Sequence, residues 1–295
     1  MDLSVVVSTL NSRERLLSCL DALTTHLPAD VEVVVVNGPS SDGTTGAVRE
    51  REDVDVLVEI SERNPNVSRN AGIEVATGEV IALVGDTSLP TDSWYEAVEA
   101  TMDAGTDVVT GPTEGAPVPA PEQSRTSRGR VETVFDGDNV AFSRPVLEEL
   151  DGFDETLPID GTRDVAHRLE AGERSVTWNP EMVVRGTVEP DGGSKADPGE
   201  RYRARAYCLS KNYGPRPTVL GRQLWRAIRE GAGRTRAVFG GEETPTGWFG
   251  GGVSVATNTL YGIQTGLNAR YREGRNPAGL SSRHDRAVRV YDRRE

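Results

Sequence analysis

The apolar run at residues 80–84 constrains the fold of this chain more than any other stretch. Five aliphatic residues in succession are typical of a strand buried on both faces, as in the middle of a parallel sheet. The run ends at Gly85-Asp86, and Pro90 prevents the strand from simply continuing. Asp86 is therefore predicted just beyond the carboxyl end of a central strand, where ligands bind in open α/β sheets. A carboxylate there can hold a divalent metal, although Gly85-Asp86 can also be only a turn.

The residues before this run repeat strand–helix units, because β-branched runs alternate with leucines spaced by three and four. This alternation predicts a mostly parallel α/β sheet flanked by helices, with binding sites at the carboxyl ends of its strands. The sequence has neither GxGxxG nor GxxxxGK[ST], which argues against a dinucleotide dehydrogenase and a P-loop enzyme. Strands are predicted at 3–8, 31–36 and 54–60, helices at 12–27, 44–52 and 71–76, and a loop at 64–70.

The second half of the chain divides at a linker. Residues 187–199 are rich in Gly, Asp and Pro, so we expect one domain at 1–190 and a basic helical extension at 200–295. Within the first domain, the segment 112–130 contains four prolines and is predicted as a mobile loop of the kind that covers an active site. The extension is predicted to form helices at 200–213, 218–239 and 253–271.

The net charge of −13 is unevenly distributed, with the acidic excess in residues 1–200 and a basic excess beyond them. Lys195 and Lys211 are the only lysines. An acidic, lysine-poor surface is typical of proteins from salt-loving archaea, in which net charge keeps the surface hydrated. The basic tail either contacts an anionic partner, such as a membrane surface, or packs against the acidic body.

Targeting signals are not recognisable in the sequence. No stretch of about 18 uncharged apolar residues predicts a transmembrane helix, and the amino terminus does not resemble a secretory signal. Cys19 and Cys208 match no metal-binding spacing and are predicted to be buried, reduced thiols. These features predict a cytoplasmic protein.

Four segments resemble family 2 glycosyltransferases of the GT-A fold, in the usual order and spacing. The resemblance spans roughly residues 3–186 and implies a nucleotide-diphosphate sugar donor. It also implies transfer to an acceptor hydroxyl, usually with inversion, and a metal that offsets charge on the diphosphate. The chain resembles a haloarchaeal-type member. The four segments are VVVSTLNSRERLLSCLDAL at 5–23, VEVVVVNGPSSDGT at 31–44, SRNAGIEVATGEVIALVGDTSLPTDSW at 68–94 and DGDNVAFSRPVLEELDGFDE at 136–155.

The resemblance assigns several residues to the nucleotide. Thr9 and Asn11 match the loop that touches it after the first strand. Asn37 falls where the family usually has an aspartate facing the base, and an amide oxygen can still accept from an imide N–H. Arg69 and Asn70 match a loop on the nucleotide side, where Arg69 either reaches the phosphates or ribose or only pins the loop.

The chain departs from the family at the metal motif. Aligned on Leu89-Pro90, the two acidic positions of Asp-x-Asp fall on Gly85 and Thr87, and only the intervening Asp86 is acidic. One carboxylate makes a poor clamp, because Mg²⁺ usually binds phosphates plus one or two carboxylates. Binding of Mg²⁺ or Mn²⁺ is therefore expected to be weak or nucleotide-dependent. Arg185 replaces the family's histidine after the last strand and could bind the diphosphate.

A second departure concerns the general base. The family's Glu-Asp positions fall on Gly161 and Thr162, and its later aspartate falls on Asp164. Asp164 is our first prediction for the base, since an anion is stabilised near a helix N-terminus, and Asp160 is the second.

The leading hypothesis is a glycosyltransferase that acts on a glycan or lipid-linked acceptor, with possible peripheral membrane contact through the basic helices and no nucleic-acid partner. The alternative is a non-catalytic GT-A-fold protein that binds a nucleotide sugar or acts in assembly, which the eroded motifs favour. A nucleotidyltransferase is a third interpretation. It would need a glycine-rich basic loop after the first strand, which Asn11-Ser12-Arg13 does not provide.

Overall fold

The computed structural model describes residues 1–114, 124–125, 131–132, 135–174, 176–186, 197–215, 245–271 and 276–294. Within these ranges no helix combines the length and apolarity needed to cross a membrane. The predicted loop at 112–130, the linker at 187–199 and the helix at 218–239 lie wholly or mostly outside the described residues.

The strands are β1 (Leu3–Thr9), β2 (Glu32–Asn37), β3 (Val56–Ile60), β4 (Val80–Gly85), β5 (Ser88–Pro90), β6 (Val108–Thr110), β7 (Thr113–Glu114), β8 (Ser124–Arg125), β9 (Val131–Glu132), β10 (Asn139–Ser143), β11 (Val176–Trp178), β12 (Val184–Gly186) and β13 (Ala287–Asp292). The helices are α1 (Arg13–His26), α2 (Thr44–Arg49), α3 (Pro65–Val75), α4 (Trp94–Asp103), α5 (Arg144–Glu149), α6 (Gly161–Ala171), α7 (Pro198–Tyr213) and α8 (Pro245–Tyr271).

The described strands form a large sheet in the order β11-β6-β10-β4-β1-β2-β3-β13. Only β10 and β13 run antiparallel to their neighbours, so the predicted mostly parallel α/β sheet is confirmed. The run that begins at Val80 is β4, which is buried throughout and lies inside the sheet as expected. A smaller sheet, β5-β12-β7, lies beyond its carboxyl end.

The sheet separates two apolar cores because side chains alternate along each strand. In β1, Val5 and Val7 face the core formed with α1 and α4, whereas Val6 faces the core formed with α3, α5 and α6. Both faces are therefore covered, which explains why these strands are continuous aliphatic runs.

Helix α3 corrects the predicted loop at 64–70. The helix begins at Pro65, and the Asn64 side chain caps it by accepting from the Asn66 backbone N–H at 3.0 Å. Proline is well suited to the first helical position, where its missing N–H costs nothing. Arg69 and Asn70 are consequently placed on a rigid helix rather than in a loop.

The tail differs from the prediction of a purely helical extension. Helices α7 and α8 cover the predicted helices at 200–213 and 253–271, but β13 then pairs antiparallel with β3 in the main sheet. The division into domains near residues 190–200 stays a prediction. Helices α7 and α8 pack closely at two glycines of α8. A Cβ atom added to Gly262 would lie 2.3 Å from the Arg203 carbonyl oxygen, and a Cβ atom added to Gly266 would lie 2.4 Å from the Tyr207 carbonyl oxygen.

A buried ion network joins α7 to the sheet domain. Lys211 Nζ donates to Asp154 Oδ2 at 2.5 Å and to Asp164 Oδ2 at 2.9 Å. Arg168 Nε donates to the same oxygen of Asp164 at 2.8 Å, and Tyr207 donates its hydroxyl to Asp154 at 2.7 Å. The Lys211 side chain is 1% exposed and both aspartates are fully buried. Two negative and two positive charges are thus enclosed together.

Three arginines late in the chain also bind carboxylates of the sheet domain. Arg286, whose side chain is fully buried, anchors residues 276–294 beside α3. These three arginines of the basic tail are therefore neutralised by the acidic body. The pairs are Arg283 with Glu62 and Glu155, Arg286 with Glu74 and Glu155, and Arg294 with Glu32.

Replacing the central cation should be costly. Lys211→Met leaves Asp154 and Asp164 buried without that charge, and breaking a buried pair typically costs about 3–5 kcal/mol of unfolding free energy. Urea denaturation in molar KCl measures this loss. Arg201→Met, at an exposed position of α7, is the control and should change stability by less than about 0.5 kcal/mol. Equal effects of the two substitutions would contradict the importance of the network.

The same network predicts acid sensitivity. Burial alone would raise the pKa of Asp164, but the charges of Lys211 and Arg168 outweigh burial and hold this pKa below its ordinary value. The stabilisation is present above the unfolded-state pKa of about 3.9 and is lost as the pH falls below it, because only the unfolded state then takes up the proton. Unfolding free energies from about pH 6 to pH 3 should decline less steeply for Asp164→Asn than for the wild type. An unchanged slope would contradict this assignment.

Candidate functional site

The carboxyl ends of β1, β2 and β4 form one polar edge. Thr9 and Asn37 lie opposite each other in the β1–β2 register. The Thr9 hydroxyl donates to Asp86 Oδ2 at 2.8 Å, just beyond the end of β4. Thr9 and Asn37 are buried and Asp86 is half-buried. The structure therefore brings these three sequence-predicted residues together, because the ends of parallel strands meet at one edge.

Asn11 and Asn37 hold the two loops that follow β1 and β2. Asn11 has a positive φ of 51°, and its Oδ1 accepts from the Ser41 backbone N–H at 2.8 Å. Asn37 Oδ1 accepts from the Ser40 hydroxyl at 2.7 Å, while its Nδ2 donates to Thr45 Oγ1 at 2.9 Å. These bonds fix the shape of the two loops.

Arg69 and Asn70 occupy neighbouring positions of α3 but have different surroundings. The Arg69 guanidinium is almost fully buried and lies 5.3 Å from the centroid of the Phe153 ring. It donates to Asn66 Oδ1 at 3.2 Å and to Asp138 Oδ1 at 3.1 Å. Asn70 bonds the backbone N–H and carbonyl of Phe153, both at 2.9 Å. Asn70 therefore clamps the segment around Phe153, whereas Arg69 reaches the end of β4 through Asp138.

Asp138 is a residue that the sequence reasoning assigned no role. A Cβ on Gly85 would lie 3.2 Å from Asp138 Oδ2, so the missing side chain of Gly85 makes room for this carboxylate. A Cβ on Gly137 would lie 2.3 Å from Thr162 Cγ2, which brings the start of α6 to the same place. The signal was the turn at 136–139, directly before β10. Because β10 is antiparallel to β4, its amino end lies at the carboxyl edge.

The two candidate bases have contrasting environments. Asp160 precedes α6 with a positive φ of 61°, is partly exposed and lies 3.6 Å from Arg163 Nη1. Asp164 is fully buried; Oδ2 accepts from Lys211 and Arg168, and Oδ1 accepts from Asn212 at 2.8 Å. A base must reach the hydroxyl from which it takes a proton. This geometry disfavours Asp164 as the base and favours Asp160.

Arg185 lies on β12, beside the turn that follows β4. In the β5–β12 pair it is opposite Leu89, and its Nε donates to Glu114 Oε2 at 3.0 Å. The side chain is 66% exposed. Arg185 is thus near the polar edge but separate from the cluster around Arg69.

A metal would find an incomplete set of ligands at this edge. Within the residues that the structure describes, no group of three or more His, Cys, Asp or Glu side chains could hold one. The Cys19 thiol lies near Asp86, but burial and the charge of Asp86 raise its pKa, which disfavours the thiolate form that metals bind. Asp86, with Asp138 against Gly85, fits a divalent metal only if phosphate oxygens complete the coordination.

Sequence comparison identifies relatives of this region. The family model described as "Glycosyl transferase family 2" matches residues 4–151. Glycosyltransferase AglE of Haloferax volcanii is 30% identical over 118 residues, covering 38% of this chain and 39% of that protein. The putative glycosyltransferase EpsH of Bacillus subtilis is 25% identical over 153 residues, covering 48% of this chain and 44% of that protein. These matches span less than half the length of either relative.

Structural comparison agrees at the level of the fold. Residues 1–349 of S. aureus TarS, solved also with UDP-GlcNAc, superpose with a TM-score of 0.64 at 17% identity, covering 92% of this chain and 83% of that chain. The Pyrobaculum calidifontis mannosyltransferase PcManGT, in complex with GDP-Man and Mn²⁺, gives a TM-score of 0.56 at 21% identity, covering 88% and 87%. The fold is that of the GT-A glycosyltransferases, and the family match covers half of the chain. The chain belongs to glycosyl transferase family 2.

Proposed function

We propose that this chain is an inverting glycosyltransferase, which moves a sugar from a nucleotide-diphosphate sugar to a hydroxyl of a glycan or a lipid-linked glycan. Family membership supports the reaction class, and the ligands of TarS and PcManGT support a nucleotide-sugar donor. The observation that carries the proposal is the convergence of α3, the turn at 136–139 and the start of α6 on the end of β4. There, Gly137 lies against both Thr162 and Arg69.

Asp160 is the proposed general base. It takes the proton of the acceptor hydroxyl while that oxygen attacks the anomeric carbon, and the bonding electrons of the sugar–phosphate bond leave with the diphosphate. A single displacement inverts the configuration and needs one base. Asp160 suits this role better than Asp164 because it is partly exposed and is not enclosed by Lys211 and Arg168.

The charge that builds on the diphosphate needs positive partners. Asp138 and Asn66 hold the Arg69 guanidinium at the end of β4, and Arg185 also lies near this edge. A divalent metal bound with the nucleotide would offset part of that charge, and Asp86 would be the protein carboxylate that holds it. Because phosphates must complete its coordination, we propose that the metal binds weakly without nucleotide.

The proposed setting is the cytoplasm, in a salt-loving organism. Contact with an anionic membrane would depend on the predicted basic helix at 218–239, which lies outside the described residues. The described arginines at 283, 286 and 294 are paired with carboxylates of the same chain.

Substitution of the proposed base separates catalysis from donor binding. Asp160→Asn should lower the rate of sugar transfer by about 10²–10⁴-fold, the usual contribution of a positioned base, and leave nucleotide-sugar affinity within about twofold. Asp2→Asn, at the amino end of β1 and away from the polar edge, is the control and should keep full activity. If Asp160→Asn transfers sugar at the wild-type rate, another group is the base.

Calorimetric titration tests the donor site in molar KCl with UDP, GDP and dTDP sugars, each with and without Mn²⁺. One nucleotide sugar should bind, and Mn²⁺ should tighten its binding. Asp86→Asn should remove the Mn²⁺-dependent increase but keep metal-free binding. If no nucleotide binds to the wild type, the transferase proposal fails and the non-catalytic alternative, as an assembly partner, replaces it.

A further inference from the structure

A cavity of about 470 Å³ lies between the sheet domain and helices α7 and α8. Residues 155–158 and Asn64 line it on one side, and the helices line it on the other. Its volume is within the usual range for small-molecule sites, about 300–1,000 Å³. None of the nucleotide-side residues at the ends of β1, β2 and β4 contributes to its lining.

One wall of the cavity continues along the chain to the proposed base. Pro158, in its wall, is two residues before Asp160. Asn64 caps the helix that carries Arg69 one turn further on. Leu157 and Ile159 pack with Tyr207 and α8, so the wall of the cavity and the segment that leads to Asp160 share one apolar cluster. A molecule in the cavity could therefore extend toward the base.

The lining combines aromatic rings with polar groups. Tyr261 is 48% exposed, and the Arg203 guanidinium lies 4.5 Å from its ring centroid. Thr265 and Asn268 follow on the same helix. The Thr265 hydroxyl donates to the Tyr261 carbonyl oxygen at 2.8 Å and can accept a further hydrogen bond, whereas the Asn268 amide can both donate and accept. Large exposed aromatic side chains with a polar neighbour are common at binding surfaces because they present an apolar face and a wet edge.

The charges of the lining nearly cancel. Glu200 and Arg203 carry opposite charges on the first turns of α7. The Glu155 carboxylate is neutralised within the protein by Arg283 and Arg286. A phosphate or other anion would find no net positive site, and an acyl chain would remove the Asn268 amide and the charged groups from water without offering them hydrogen bonds.

A saccharide matches this chemistry. A sugar ring offers a C–H face to an aromatic ring, and its hydroxyls both donate and accept. We propose that the cavity binds the saccharide portion of the acceptor, with the face of the Tyr261 ring that Arg203 does not cover as the stacking platform and Asn268 and Thr265 as hydrogen-bonding partners. The identification of this saccharide as the acceptor rests on the proposed transferase function. Helices α7 and α8 are then part of the substrate-binding surface as well as a support for the sheet domain.

Saturation-transfer NMR on the full chain tests this assignment with maltose, cellobiose, chitobiose, lactose and α-1,2-mannobiose as probes. At least one disaccharide should bind. Tyr261→Ala and Asn268→Ala should each weaken that binding at least tenfold, whereas Leu260→Ala should keep it within twofold. Leu260 is the matched control because it is 68% exposed, adjacent to Tyr261 and absent from the lining. All three side chains are exposed, so the melting temperatures of the variants should stay close to that of the wild type.

Nucleotide-sugar binding measured on the same preparation separates the two proposals. Failure of all five disaccharides to bind, or binding that survives both the Tyr261 and Asn268 substitutions, overturns the cavity assignment while donor binding still supports a transferase. Disaccharide binding lost in both variants supports the saccharide site even if no nucleotide binds, and only the transferase proposal then fails.

Discussion

The contact of Lys211 with two buried aspartates is the interaction on which the rest of this structure depends. Ionised groups removed from water are costly unless their partners surround them closely, and here two carboxylates and two cations are enclosed together. The compact ammonium group of Lys211 lies between Asp154 and Asp164, and the planar guanidinium of an arginine would not have the same geometry at this position. The network therefore specifies how α7 lies against α6. Asp160 immediately precedes α6, so the same contact fixes the position of the proposed base.

Much of the sheet follows from local patterns, because aliphatic runs and leucine spacing report directly on burial. The runs ending at Thr9, Asn37 and Asp86 were predicted at one edge, and the structure places them there. The roles of Asp138 and of Lys211 were not predictable in this way. Both depend on contacts between distant segments, and neither an antiparallel neighbour of β4 nor a lysine between two carboxylates leaves a periodic signal in the sequence. Even the helix at Asn64-Pro65 was mistaken for a loop, although its cap is a local signal.

The arginine–glutamate pairs show how the basic and acidic parts of the chain contact each other. Arg283, Arg286 and Arg294 pair with glutamates of the sheet domain, so the acidic and basic halves partly cancel where they meet. Exposed pairs of this kind weaken as salt screens them, whereas the buried contacts of Arg286 and Lys211 are screened much less. The two kinds of contact therefore divide the tail into parts with different salt sensitivity.

The pairing of β13 with β3 has a consequence for how the chain reaches its fold. Tyr291 and Glu59 touch across a separation of 232 residues, so this contact closes a very large loop. Non-local pairing of this kind is slow to form and cannot occur before residues 287–292 have been synthesised. Until residues 287–292 leave the ribosome, β3 presents an open strand edge, which is a template for pairing with other chains. A nascent chain of this protein would accordingly need either a chaperone or a protective charged surface during translation, and the acidic composition of its first 200 residues supplies the latter.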